Sequence, residues 1–146
     1  MFRVSRRIDY GVQLMIALAQ TEAERPVPTA VLAEKLHIPL PFLHQIGRSL
    51  IQSGYIRATP GPRGGLRLKQ SPENISLLQI IEALEGPMRI VPESNGNGMM
   101  TREVWAELQE KVVAALASIR LSELAKKAPQ GALLSVESIN MAERNN

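Results

Sequence analysis

Residues 28–69 constrain the fold more tightly than any other part of this 146-residue chain. Pro28 to Leu36 carries a helical apolar stripe at Val31, Leu32 and Leu36, and His37-Ile38-Pro39 reads as a turn. Leu40 to Ser53 follows with apolar residues at Leu40, Leu43, Ile46, Leu50 and Ile51, again at helical spacing. Pro39 and Pro41 suit the first positions of a helix, where a missing N–H costs little. Gly54 suits the left-handed residue just past its end. Two short strands, Tyr55 to Thr59 and Leu66 to Lys69, then flank the run PGPRGG, whose two prolines and three glycines demand a turn. Two helices across a short turn, followed by a tight hairpin, make a helix-turn-helix with a wing.

The polar face of the second helix holds His44, Gln45, Arg48 and Ser49. Side chains of these types can pair with base edges and phosphates when a helix lies in a DNA major groove. The wing glycines permit close backbone approach to another molecule, and Arg63 sits at the tip. The loop lacks the Lys-Ser/Thr pair of a nucleotide-binding loop and the strand-to-helix setting of a dinucleotide fold, which excludes both readings.

The flanks predict a mainly α protein with a small β element. Ser5 is placed to cap a helix to Gln20 whose apolar residues cover much of its circumference. Arg3, Arg6 and Arg7 at its start oppose the helix dipole, a cost that a bound phosphate would remove; a solvated terminus is the alternative. Ser76 is placed to cap a helix from Leu77 to Glu85, ended by Gly86-Pro87. After the loop PESNGNG, Thr101 is expected to cap a long helix to about Arg120. Its residues Trp105, Leu108, Val112, Ala115 and Ile119 step by 3, 4, 3 and 4, a heptad seam. With one domain to pack on, pairing with a second copy is favoured over packing within the chain. Ser122 is expected to cap a short last helix from Glu123 to Ala128, and the tail beyond Pro129 to be poorly ordered. The domains are therefore 1–86 for DNA binding, 87–100 as a loop, 101–128 for dimerisation and 129–146 as a flexible tail.

Charge divides the chain. Residues 1–75 hold ten Lys/Arg against five acids, net +5, and residues 76–146 are net −2. One surface is thus suited to a polyanion, although basic surfaces are also commonly just solvated. There is no apolar run long enough to span a membrane, and the basic N-terminus leads into an amphipathic helix with no small-residue cleavage site. No membrane partner and no signal peptide are expected, and a cytoplasmic location is. The chain has no cysteine, hence no thiolate ligands and no cysteine-based catalysis. His37 and His44 lack a third metal ligand, so no metal site is expected. No catalytic set can be assembled, so the chain is not expected to be an enzyme.

The basic start before an aliphatic helix, the segment IPLPFLHQIGRSLIQSGYI, the wing pair Gly64-Gly65 and the segment SPENISLLQIIEALEG together resemble the Rrf2 family of bacterial winged-helix transcriptional regulators. The resemblance covers residues 1–128. It implies a homodimer whose long C-terminal helices cross, presenting two recognition helices to a palindromic double-stranded operator, usually for repression. By that resemblance Pro41, His44, Gln45, Arg48 and Ser49 line the major groove or its phosphates. Arg63, with Gly64 and Gly65, reaches the minor groove, while Ser5, Arg6, Arg7 and Thr29 hold the backbone.

The departures are specific. Relatives often carry Arg-Gly before the wing glycines and an aromatic after them; here stand Pro60-Gly61 and Leu66. Their frequent Tyr-Leu-Glu-Gln is here Phe42-Leu43-His44-Gln45. Several relatives bind an iron–sulfur cluster through three cysteines in the loop that is here IVPESNGNGMM, without any. Some recruit an acid and a histidine from the first helix; the matching residues here are Asp9 and Gln13, and glutamine is a poor ligand. No cluster and no cofactor are therefore expected. The signal would be an unidentified small-molecule effector, with Met88, Met99 and Met100 lining an apolar pocket or simply filling core gaps. A winged-helix protein-interaction or scaffold module, its basic face meeting an acidic partner, is the alternative function.

Overall fold

The structure, a computed structural model, describes residues 2–92 and 98–130. Six helices and one hairpin follow in the order α1 (Arg6–Ala19), α2 (Thr29–Leu36), α3 (Leu40–Gln52), β1 (Ile56–Thr59), β2 (Gly65–Leu68), a 3-10 turn (Pro72–Asn74), α4 (Leu77–Glu85), α5 (Gly98–Ser118) and α6 (Leu121–Lys127). No helix among them is long and apolar enough to cross a membrane.

The core is aliphatic. Leu14, Met15 and Leu18 of α1 meet Leu32, Ile38, Leu43, Ile46 and Leu50 of the helix-turn-helix, with Ile56, Leu66, Ile75, Ile80 and Leu121 completing it. Each is 4% exposed or less, and burial of such a side chain stabilises by about 1.5–3 kcal/mol. Aromatic rings enter only at the margin, where Tyr10 and Phe42 meet edge-to-face at 5.3 Å.

Local chemistry sets the helix ends. Ser5 Oγ accepts from Ile8 N and starts α1. Ser76 and Gln79 form a reciprocal capping box that starts α4, and Gly86 (φ +83) ends it. The α2–α3 turn passes through His37 at φ +54, a left-handed angle that histidine tolerates better than most residues. The expected tail beyond Pro129 falls largely outside the described residues.

Three expectations at the C-terminal end are corrected. Thr101 does not cap α5: the helix is already formed at Gly98 and runs through Met99 and Met100, both good helix formers. The helix stops at Ser118, so Ile119 of the predicted seam lies outside it. Ile119 and Arg120 are extended because Leu77 N donates to Ile119 O and Leu121 N to Ile75 O, a backbone clip between the start of α4 and the end of α5. That clip makes Arg120 the N-cap of α6, and Ser122 sits inside the helix. Leu121 plugs into the core and Gln20 Nε2 donates to Ala125 O, so α6 is fastened back onto α1.

Fastened at one end, α5 has no buried residue. Trp105, Leu108 and Val112 are half-buried, and Ala115 is exposed. Met99 and Met100 are 81% and 79% exposed and Met88 is half-buried, so among the described residues the three methionines do not enclose the expected pocket.

Candidate nucleic-acid interface

Helix α3 is held by Leu43, Ile46, Gly47 and Leu50, all buried. Spacing of three and four then puts Pro41, His44, Gln45 and Arg48 on the opposite face, and all four are exposed. Leu40 and Ile51, read from the sequence as part of the buried stripe, are 40% and 39% exposed. They sit three or four residues from His44 and Arg48 and so border the polar face. An apolar side chain there is the chemistry that meets a thymine methyl.

Ser49 and Arg7 are already engaged within the chain. Arg7 Nη2 donates to Ser49 Oγ at 2.7 Å, and Arg7 Nε donates to Leu84 O at 2.9 Å. One guanidinium thereby ties the recognition helix to the C-terminal turn of α4. Ser5 Oγ donates to Glu85 Oε1 at 3.0 Å, which places a carboxylate beside an expected phosphate anchor. Of the three N-terminal anchors, Arg6 alone is exposed with no side-chain bond among the described residues. Thr29 is half-buried at the first position of α2, whose N-terminus has no side-chain cap. Because Arg7 bridges two elements, Arg7→Ala is expected to cost about 1–3 kcal/mol in urea unfolding, the range for hydrogen bonds to a charged group and for buried partners left unpaired. Equal urea midpoints for variant and parent would refute the bridge.

The wing is a two-stranded antiparallel hairpin with Ile56 opposite Leu68, Arg57 opposite Arg67, Ala58 opposite Leu66 and Thr59 opposite Gly65. Its tip is a β-turn over Gly61–Gly64, closed by Gly64 N donating to Gly61 O, with Pro62 at the position where proline is favoured. Arg63 is exposed on this turn. The free edge of β2 is not free: Val27 and Leu66 exchange two backbone bonds of 2.8 Å, docking the hairpin onto the segment that enters α2.

This docking accounts for Gly65, and the hairpin's own turn accounts for Gly64. A Cβ at Gly64 would collide with Thr59 O, and one at Gly65, at φ +149, with the carbonyl of Val27. The close approach these glycines allow is internal. Arg57 and Arg67 are not among the residues expected at the interface from the sequence. Alternation along the strands, with Ile56 and Leu66 turned inward, was the signal that would have placed both arginines outward.

The geometry is that of a winged-helix DNA-binding protein. The profile of the Rrf2 family, described as an iron-dependent transcriptional regulator, matches residues 4–127, and the chain belongs to that family. It is 33% identical to the HTH-type regulator slr0846 of Synechocystis, over 94% of this chain and 97% of that one. CymR of Bacillus subtilis is 29% identical over 84% of this chain and 89% of its own length. The structure of CymR, titled the global cysteine regulator of B. subtilis, superimposes with a TM-score of 0.78 over 88% of this chain and all of that one. IscR of T. potens does so at 0.72 with 30% identity, over 91% and 96%. The chain is thus a transcriptional regulator of a non-enzymatic, DNA-binding family.

The family description invokes iron, and the donors among the described residues do not fit it. The sequence has no cysteine. Among the described residues no three His, Cys, Asp or Glu side chains cluster as a metal site. The two positions on α1 that match an acid and a histidine in some relatives are bonded to each other, Gln13 Nε2 donating to Asp9 Oδ2 at 2.8 Å.

Proposed function

We propose that this chain is a homodimeric repressor that binds a palindromic operator and senses its signal without a cysteine-ligated iron–sulfur cluster. The observation that carries the DNA reading is the exposed row Pro41, His44, Gln45 and Arg48 on a helix whose other face is locked by Leu43, Ile46 and Leu50. His44, Gln45 and Arg48 would read base edges. Arg6, Thr29 and Ser49 would meet phosphates, and Arg63 the minor groove, where an arginine reads width and negative potential. Ser5 and Arg7 would act indirectly, by fixing α1 against α4 and α3. Gly64 and Gly65 would set the wing's position. The homodimer is favoured by α5, which leaves Trp105, Leu108 and Val112 only half-covered and Met99, Met100 and Val104 exposed.

The control would come from an unidentified effector whose differential affinity for two spacings of the recognition helices shifts operator binding. The protein would act in the cytoplasm, where its DNA is. A protein-interaction module with a basic face remains the competing function, and a salt titration separates the two. An operator complex is expected to weaken steeply with added salt while keeping its sequence preference. Loss of preference along with affinity would favour the competing function.

His44 carries a sharper expectation. Neutral histidine donates or accepts, whereas glutamate only accepts and pairs with cytosine N4. His44→Glu is expected to change base preference at one half-site position by about 1–3 kcal/mol, roughly 5- to 150-fold. An unchanged preference profile would remove His44 from the reading residues.

A further inference from the structure

We propose that Arg57 and Arg67, on the outer face of the wing hairpin, form a phosphate clamp that grips the strand of the duplex far from the recognition helix. This rests on the DNA-binding reading above and adds a contact that neither α3 nor the wing tip makes.

The register puts the two arginines directly opposite each other. Opposed residues in an antiparallel pair hold their Cβ atoms roughly 4.5–5.5 Å apart, and like charges there are destabilising. The neighbouring pairs turn the other way: Ile56 is 1% exposed and Leu66 4%, so the arginines project from the face away from the core. Arg57 is exposed and Arg67 half-buried, and among the described residues neither is ion-paired. The fold therefore sets two uncompensated cations side by side on its own surface. A phosphodiester between them turns that repulsion into attraction, since each guanidinium offers planar paired donors to phosphate oxygens.

Position fits the same ligand. A wing lying in a minor groove about 6 Å wide sits between two sugar–phosphate strands. The core-side face of this hairpin packs on α3, with Leu66 beside Gly47. With α3 in a major groove and the wing in the adjacent minor groove, the outer face would look toward the strand farther from α3. Arg57 lies two residues from Thr59, the last residue of β1 and roughly 7 Å along the strand, so its long side chain would extend toward the edge of a groove that the wing tip enters. The ligand is the nucleic-acid backbone, and the contact carries affinity without base preference.

The test uses the full chain with Arg57→Gln and Arg67→Gln together. Binding to the operator and to an unrelated duplex is titrated across salt concentration, and urea unfolding is followed in parallel. The double variant is expected to bind both duplexes at least about tenfold more weakly at 0.1 M salt, and to keep its preference between them. The slope of log K against log salt should fall by at least about 0.9 per protomer, the value for one lost phosphate. The urea midpoint should stay level or rise, because a repulsive pair has gone. Arg57→Lys with Arg67→Lys, which keeps the charge, should restore the slope. An unchanged slope in the glutamine variant overturns the clamp while leaving the DNA-binding reading intact. A parent chain that binds no duplex sinks both.

Discussion

Gly65→Ala is expected to destabilise the protein by about 3 kcal/mol or more, with Tm falling by roughly 10 °C. Three effects add. Gly65 sits at φ +149, an angle L side chains rarely adopt, and such strain costs about 1–3 kcal/mol. The new Cβ would meet backbone atoms of Val27 and Pro28, which cannot rotate aside as a side-chain tip can. Relief requires the hairpin to lift from Val27, breaking the two 2.8 Å bonds shared with Leu66 and uncovering a side chain only 4% exposed. Gly61→Ala is the control. It also has a positive φ, +97, but its Cβ would touch nothing within 4 Å, so it should cost only about 1 kcal/mol. Equal thermal midpoints for the Gly65 and Gly61 variants would refute the view that the wing is docked by close backbone approach.

Leu108→Glu combined with Val112→Glu is expected to leave the fold intact and to weaken operator binding by about 10²–10⁴-fold. No residue of α5 belongs to the core, so two carboxylates there do not disturb Leu14, Leu43 or Ile80. They would fall in the middle of the half-covered seam that the proposed homodimer would pair, where burying an unpaired charge is prohibitive. A monomer engages one half-site, and losing the second engagement removes the avidity gain of that size. Light scattering should give the mass of one chain, circular dichroism an unchanged helix content, and a duplex titration the lost affinity. A variant that stays dimeric, or a monomer that binds the operator as tightly as the parent, would contradict this assignment of α5.

The legible parts of the sequence were those fixed by neighbours along the chain. Ser5 and Ser76 as caps, Gly54 and Gly86 as terminators, the α2–α3 turn and the Pro-Gly hairpin all depend on backbone geometry within a few residues. The polar row on α3 followed from its period. What escaped was set by distant partners. The break between α5 and α6 at Ile119 and Arg120 exists because the chain there pairs with Ile75 and Leu77, and a helical pattern cannot reveal that. Leu40 and Ile51 look like core residues until the width of the face that α1 and the wing cover is known. Arg7 reads as a free cation, yet its partners Ser49 and Leu84 lie 42 and 77 residues away. Gly64 and Gly65 announce a close approach, but the sequence does not say that the approaching backbone is Thr59 for the first and Val27 for the second, both of the same molecule.

Selection of bound duplexes from a random pool tests the central claim most directly. A homodimer with one exposed recognition helix per protomer should enrich two inverted half-sites, centred about 10 base pairs or a multiple of that apart, as one helical turn of DNA requires. Recovery of no enriched sequence, or of a single asymmetric site, would contradict it.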